Sequence, residues 1–148
     1  MNTSSQQLIH LCNDLLETGR DKFSTSMGIV SHIERDRYEI VAISSSTGVF
    51  VAGEDFPLKD TYCRDVYEQG KTIALTEMEG VSGLQRHPLY DTLPLEVYIG
   101  TPILVANKVW GTINFSCMKL RKNAFTNEDI DFIESAAKEV SKEIDSGS

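Results

Sequence analysis

Two apolar strands joined by a turn constrain this chain more than any other feature. They are Tyr98-Ile-Gly-Thr-Pro-Ile-Leu-Val105 and Val109-Trp-Gly-Thr-Ile-Asn-Phe-Ser116, separated by the turn signal Ala106-Asn107-Lys108. Successive side chains of a strand point to opposite faces. Alternation puts Val109, Gly111, Ile113 and Phe115 on one face and Trp110, Thr112, Asn114 and Ser116 on the other. The first set reads as core. Three small polar groups in a row on the second suggest a surface built to meet something other than plain core, since buried polar groups need partners and a ligand can be one.

An amphipathic segment follows this hairpin. Thr126-Asn-Glu-Asp129 fits the capping-box pattern, in which the Thr126 hydroxyl accepts from the backbone N–H three residues on. Ile130, Ile133, Ala137, Val140 and Ile144 then form one apolar stripe, bordered by Ala136 and Ser141. At the other end, Leu8, Ile9, Leu11, Cys12, Leu15 and Leu16 recur at helical spacing between Gln6 and Phe23, with Gly19 as a possible stop. Between the two helices, Met27 to Ile33 and Tyr38 to Ser44 read as a hairpin around Glu34-Arg-Asp-Arg37, followed by a short extended piece at Val49 to Ala52. Thr61 to Gln69 reads as a short helix with Tyr62, Cys63 and Val66 on one face and Gly70 closing it, and Thr72 to Thr76 as a further strand. Glu77 to Leu95 carries two glycines and two prolines without strand alternation, with helical turns near Leu84 to Leu93. A crossing segment of that length inside a small domain is usually functional. The order predicts an α+β fold in which one face of an antiparallel sheet takes the terminal helices and the other is left to the short helix and the crossing segment, where a cavity would form.

With 148 residues, one core suffices, and residues 1–145 read as a single domain, with Ser146-Gly147-Ser148 as a cloning scar or the start of a linker. Twenty-two acidic against 14 basic residues give a net charge of −8, which repels phosphate backbones and anionic membranes; neither nucleic acid nor membrane is an expected partner. No apolar run approaches a membrane span and the start Met1-Asn-Thr-Ser-Ser lacks a secretion signal, so a cytoplasmic location is the default. Cys12, Cys63 and Cys117 are odd in number and widely spaced, which encodes neither a disulfide framework nor a zinc knuckle.

The order of elements, together with Phe56-Pro-Leu-Lys-Asp-Thr-Tyr-Cys63, Val66, Gly70, Tyr98-Ile-Gly-Thr-Pro-Ile103, Trp110 to Ser116 and the final helix, resembles a GAF domain over about Leu8 to Ile144. GAF domains are small-molecule sensing modules of bacterial histidine kinases, diguanylate cyclases and related regulators. The resemblance implies an antiparallel sheet of five to six strands with the N- and C-terminal helices on one face and a ligand pocket under loops on the other. It also implies dimerisation through the terminal helices, an output domain such as a kinase or cyclase elsewhere in the parent chain, and a pocket lined here by Tyr62, Cys63, Val66, Leu84, His87, Tyr90, Tyr98, Thr112, Asn114 and Ser116. Fold-level analogy gives the place of a site and not its chemistry, so the ligand stays unidentified.

Bilin-binding members of the family carry a cysteine immediately before the histidine matched by His87; Arg86 stands there, so a covalent bilin is not expected. Haem would need an axial ligand from His10, His32 or His87, and nothing in the sequence singles one out. Cys63, beside Arg64, would be a redox or attachment thiol if exposed, whereas a buried cysteine is a small hydrophobe. One branch of the family reduces free methionine-(R)-sulfoxide, but its nucleophilic cysteine belongs to the crossing segment, and Glu77 to Glu96 contains none. Walker, GxSxG and HExxH motifs are absent, and Asp55, Asp60 and Asp65 read as solvated or capping residues. The aromatics Phe50, Phe56, Tyr62, Tyr90, Tyr98 and Trp110 form either a ligand cage or ordinary core. The reading is a non-enzymatic ligand-binding sensor; the alternatives are an unliganded dimerisation module and, less well supported, a thiol sensor or reductase.

Overall fold

Two hairpins with matching turns build the sheet. Strand β1 (Met27–Glu34) returns as β2 (Arg37–Ser45), and β5 (Val97–Val105) returns as β6 (Lys108–Cys117). Both turns have positive φ at their two central residues, 53° and 63° at Arg35 and Asp36, 53° and 66° at Ala106 and Asn107. That is the two-residue geometry whose twist matches the strands it joins. The computed structural model describes residues 3–46, 50–60, 63–75, 97–117 and 124–146. β1 pairs with β6, placing Met27 opposite Ser116 and His32 opposite Gly111, so the two hairpins merge. Strands β3 (Asp55–Pro57) and β4 (Ile73–Leu75) complete an antiparallel sheet of order β3-β2-β1-β6-β5-β4.

Each face of this sheet has its own apolar cluster. On one, α1 (Thr3–Phe23) contributes Cys12, Leu16 and Phe23, and α3 (Asn127–Ser146) contributes Ile133, Ala136, Ala137 and Val140, packed on Val30, Ile99, Ile103, Ile113 and Phe115. On the other, α2 (Arg64–Gln69) covers Met27, Ile29, Ile40 and Tyr98 with Cys63 and Val66. The two-faced plan thus follows from the strand alternation. No helix among the described residues is long and apolar enough to cross a membrane.

The helix ends agree with their sequence signals. Thr126 Oγ1 accepts from the Asp129 N–H at 3.1 Å while Asp129 Oδ2 accepts from the Thr126 N–H at 2.9 Å, a reciprocal cap. Gly70, left-handed at φ 66°, ends α2 and its N–H donates to the Val66 carbonyl.

Three expectations change. α1 does not stop at Gly19 but runs on to Phe23. A Cβ at Gly19 would stand 2.1 Å from Phe115 Cζ, so the glycine is a notch for that ring rather than a cap. The extended piece expected at Val49 to Ala52 is not a strand in its described part, and β2 pairs instead with Asp55–Pro57. Trp110 leaves the row of Thr112, Asn114 and Ser116: a register shift between β5 and β6 pairs Ile103 with Gly111 and Leu104 with Val109, leaving Trp110 as the extra residue of a bulge. Its ring packs with the helix-side cluster and stacks on His32 at 4.4 Å.

Candidate functional site

The polar row of β6 meets polar counterparts from β1, β2, β5 and the start of α2. Thr112 lies opposite Ser31 of β1; their hydroxyls are 2.7 Å apart, and the Thr112 N–H donates to Ser31 Oγ at 3.3 Å. Asn114 reaches further, its Nδ2 donating to Cys63 Sγ at 3.1 Å and to the Tyr38 hydroxyl at 3.5 Å. The Tyr98 hydroxyl donates to the same sulfur at 3.1 Å, and the Cys63 thiol faces Tyr38 Oη at 3.7 Å. All six side chains are buried, none more than 4% exposed.

Local sequence explains the convergence. Cys63 stands at the start of α2, which docks on the sheet through the fully buried Val66. Tyr98 turns along its strand because the next residue on that face is Gly100: a Cβ there would lie 2.4 Å from the Tyr98 hydroxyl. Tyr38 is the second residue of β2, just after the tight turn, and its buried hydroxyl points toward Asn114.

Burial governs the ionisation of this cluster. Desolvation pushes the Cys63 thiol up, against the downward pull of hydrogen bonds from Thr112, Tyr98, Tyr38 and Asn114. Burial raises Tyr38 and Tyr98 well above the ordinary phenol range, and the neighbouring Cys63 adds to it. The group is neutral at physiological pH. Its thiol is a hydrogen-bonded core atom with little nucleophilic character. Ser116, opposite Tyr98 and fully buried, ends the row, and its Oγ has no hydrogen-bond partner among the described residues.

Of the residues singled out from the sequence, Cys63, Val66, Tyr98, Thr112, Asn114 and Ser116 lie on one face of the sheet. Tyr62, Leu84, His87 and Tyr90 lie outside the described residues. Sequence reasoning missed Tyr38 and Ser31. Ser31 carried a signal, a polar residue between Ile29 and Ile33 on an otherwise apolar strand face. Tyr38 carried none beyond its alternation with Ile40. The aromatics do not gather into one cage among the described residues: Phe50 and Phe56 pack edge to face at 5.4 Å, and Trp110 is on His32. No cluster of three or more potential metal ligands occurs among the described residues, and Asp55 pairs with Arg37.

The family model described as "GAF domain" matches residues 5–145. No curated protein matches the chain in sequence. Among solved structures, the PixJ GAF domain of Thermosynechococcus elongatus, in its blue-light absorbing form, superposes with a TM-score of 0.75 at 16% identity, covering 96% of this chain and 89% of that one. The GAF domain of an Acinetobacter phosphoenolpyruvate-protein phosphotransferase gives 0.72 at 13% identity, covering 99% and 95%. A type II free methionine-R-sulfoxide reductase of Thermoplasma acidophilum gives 0.69 at 16% identity, covering 97% and 93%. At these identities the likeness is one of fold.

Proposed function

From the premise that the chain belongs to the GAF domain family, we propose that it is a regulatory module that binds a small molecule on the sheet face opposite α1 and α3. It passes the bound state through those helices, as a dimer, to an output domain in a bacterial signalling protein of the cytoplasm. The observation that carries this reading is Ser116 Oγ, a buried hydroxyl at the end of the polar row with no partner among the described residues. A ligand hydrogen-bonded there would gain a contact that the row itself does not satisfy.

Strand alternation supplies the coupling. Asn114 and Ser116 flank Phe115, which points to the other face and lies against the Gly19 notch of α1 and against Phe23. A ligand that shifts β6 at Ser116 therefore moves the ring that seats α1. The requirement is differential affinity for the two helix arrangements. Catalysis does not enter the reading. Cys63 is a protonated core thiol, with no disulfide to Cys12 or Cys117, and Cys12 belongs to the cluster on the other face of the sheet.

A second reading, an unliganded dimerisation module, draws support from the closed Tyr38–Cys63–Tyr98–Asn114 network, whose groups already partner one another. A thermal-shift survey of metabolites on the wild type and on Ser116→Phe decides between the two. A compound that stabilises only the wild type supports ligand sensing; no stabilising compound favours the second reading.

A further inference from the structure

The other side of the sheet holds a separate concavity of about 580 Å³, between the turn that follows α2, strand β5 and the outer half of α3. Its charge is unlike that of the rest of the molecule. In a chain of net charge −8, three lysines converge on it: Lys71 from the turn, and Lys138 and Lys142 one helical turn apart on α3. All three are exposed, and none forms an ion pair among the described residues. Like charges at this helical spacing repel.

Among the described residues, the one acidic side chain lining the cleft is already engaged. Glu134 precedes Lys138 by the spacing that favours an ion pair. Its carboxylate turns instead to Thr72, whose hydroxyl donates to Oε2 at 2.5 Å. A hydroxyl has one proton to give. Thr101, 2.7 Å from Thr72 Oγ1, is therefore the donor in that pair, and both threonines are committed to holding Glu134. The lysines are left facing the opening. Beneath them the walls are mostly apolar, with Pro102 and Ala137, and Leu104 is one of the two large apolar side chains left exposed among the described residues, at 49%.

We propose that this cleft binds a small amphipathic anion, an acyl or aryl chain ending in a carboxylate or other acidic group. The apolar body lies along Pro102, Leu104 and Ala137, and the anionic end sits among Lys71, Lys138 and Lys142. The volume falls in the range of small-molecule sites. Opposite charge at the rim adds charge-assisted hydrogen bonds to that apolar contact.

The test uses anilinonaphthalene sulfonate as a fluorescent probe, with decanoate and decanol as competitors. The expected result is one saturable site from which decanoate displaces the dye and decanol does not. Lys138→Gln/Lys142→Gln weakens dye binding by about tenfold or more with an unchanged melting temperature. Ser116→Phe leaves it unchanged, which separates this cleft from the sensory face. Dye binding that is absent, indifferent to the double lysine variant, or displaced equally by decanol overturns the proposal.

Discussion

The Tyr98 hydroxyl reaches the Cys63 sulfur at 3.1 Å because Gly100 leaves the strand bare beneath the tyrosine ring. That bond joins β5 to the start of α2, and Asn114 joins both to β6. A neutral core thiol and a glycine thus fix the geometry of the face on which the ligand is proposed to bind.

Tyr98→Phe removes one donor from a cluster whose other members remain paired. We expect a loss of about 1 kcal/mol of stability. Asn114→Ala leaves Cys63 and Tyr38 short of a partner and opens a void, for a larger loss of about 2–4 kcal/mol. Urea denaturation of the two variants checks the order.

Gly19→Ala pits two effects against each other. Helix propensity alone would stabilise α1 by about 1 kcal/mol. The new Cβ, however, would meet Phe115 Cζ at 2.1 Å in a packed core, where crowding costs about 1–3 kcal/mol. We expect net destabilisation, relieved when Phe115→Leu is added, as a double-mutant cycle on melting temperatures would show.

Thr126→Ala removes the hydroxyl that accepts from the Asp129 N–H. The expected cost is about 1 kcal/mol, measured by chemical denaturation, with Thr126→Ser close to wild type.

Alkaline pH should destabilise the fold. Burial raises the Cys12 thiol from 9.0 to about 12. Below pH 9 both folded and unfolded chains hold this proton, and the stability is intact. Between pH 9 and 12 the unfolded thiol ionises while the folded one does not, so stability falls as pH rises, by at most about 1.4 kcal/mol per pH unit for each such group. Cys63, Tyr38 and Tyr98, all raised by burial, act in the same direction. Urea unfolding from pH 8 to 11 should show the decline, with a shallower slope in Cys12→Ala. Native thiol labelling should reach the half-buried Cys117 well before Cys12 or Cys63.

Much of this was legible because periodic signals are local. The Thr126 cap, the apolar stripe of α3 and the alternation of β6 from Gly111 to Ser116 each read correctly within a few residues of sequence. What escaped depended on contacts across the sheet. Gly19 looks the same as a helix stop or as a notch, and only Phe115, far away in sequence, decides. Trp110 was misplaced because a single extra residue in one strand reverses the side on which its neighbours lie. Tyr38 joins the cluster through Asn114 and Cys63, partners that no spacing within β2 announces.

Native mass spectrometry of the protein after incubation with a cell extract, set against its denatured mass, tests the central claim most directly. The account predicts a non-covalent mass excess that vanishes on denaturation, survives in Lys138→Gln/Lys142→Gln and is lost when Ser116→Phe is added to that double variant. A bare polypeptide mass for Lys138→Gln/Lys142→Gln after that incubation, or an excess retained once Ser116→Phe is added, would contradict it.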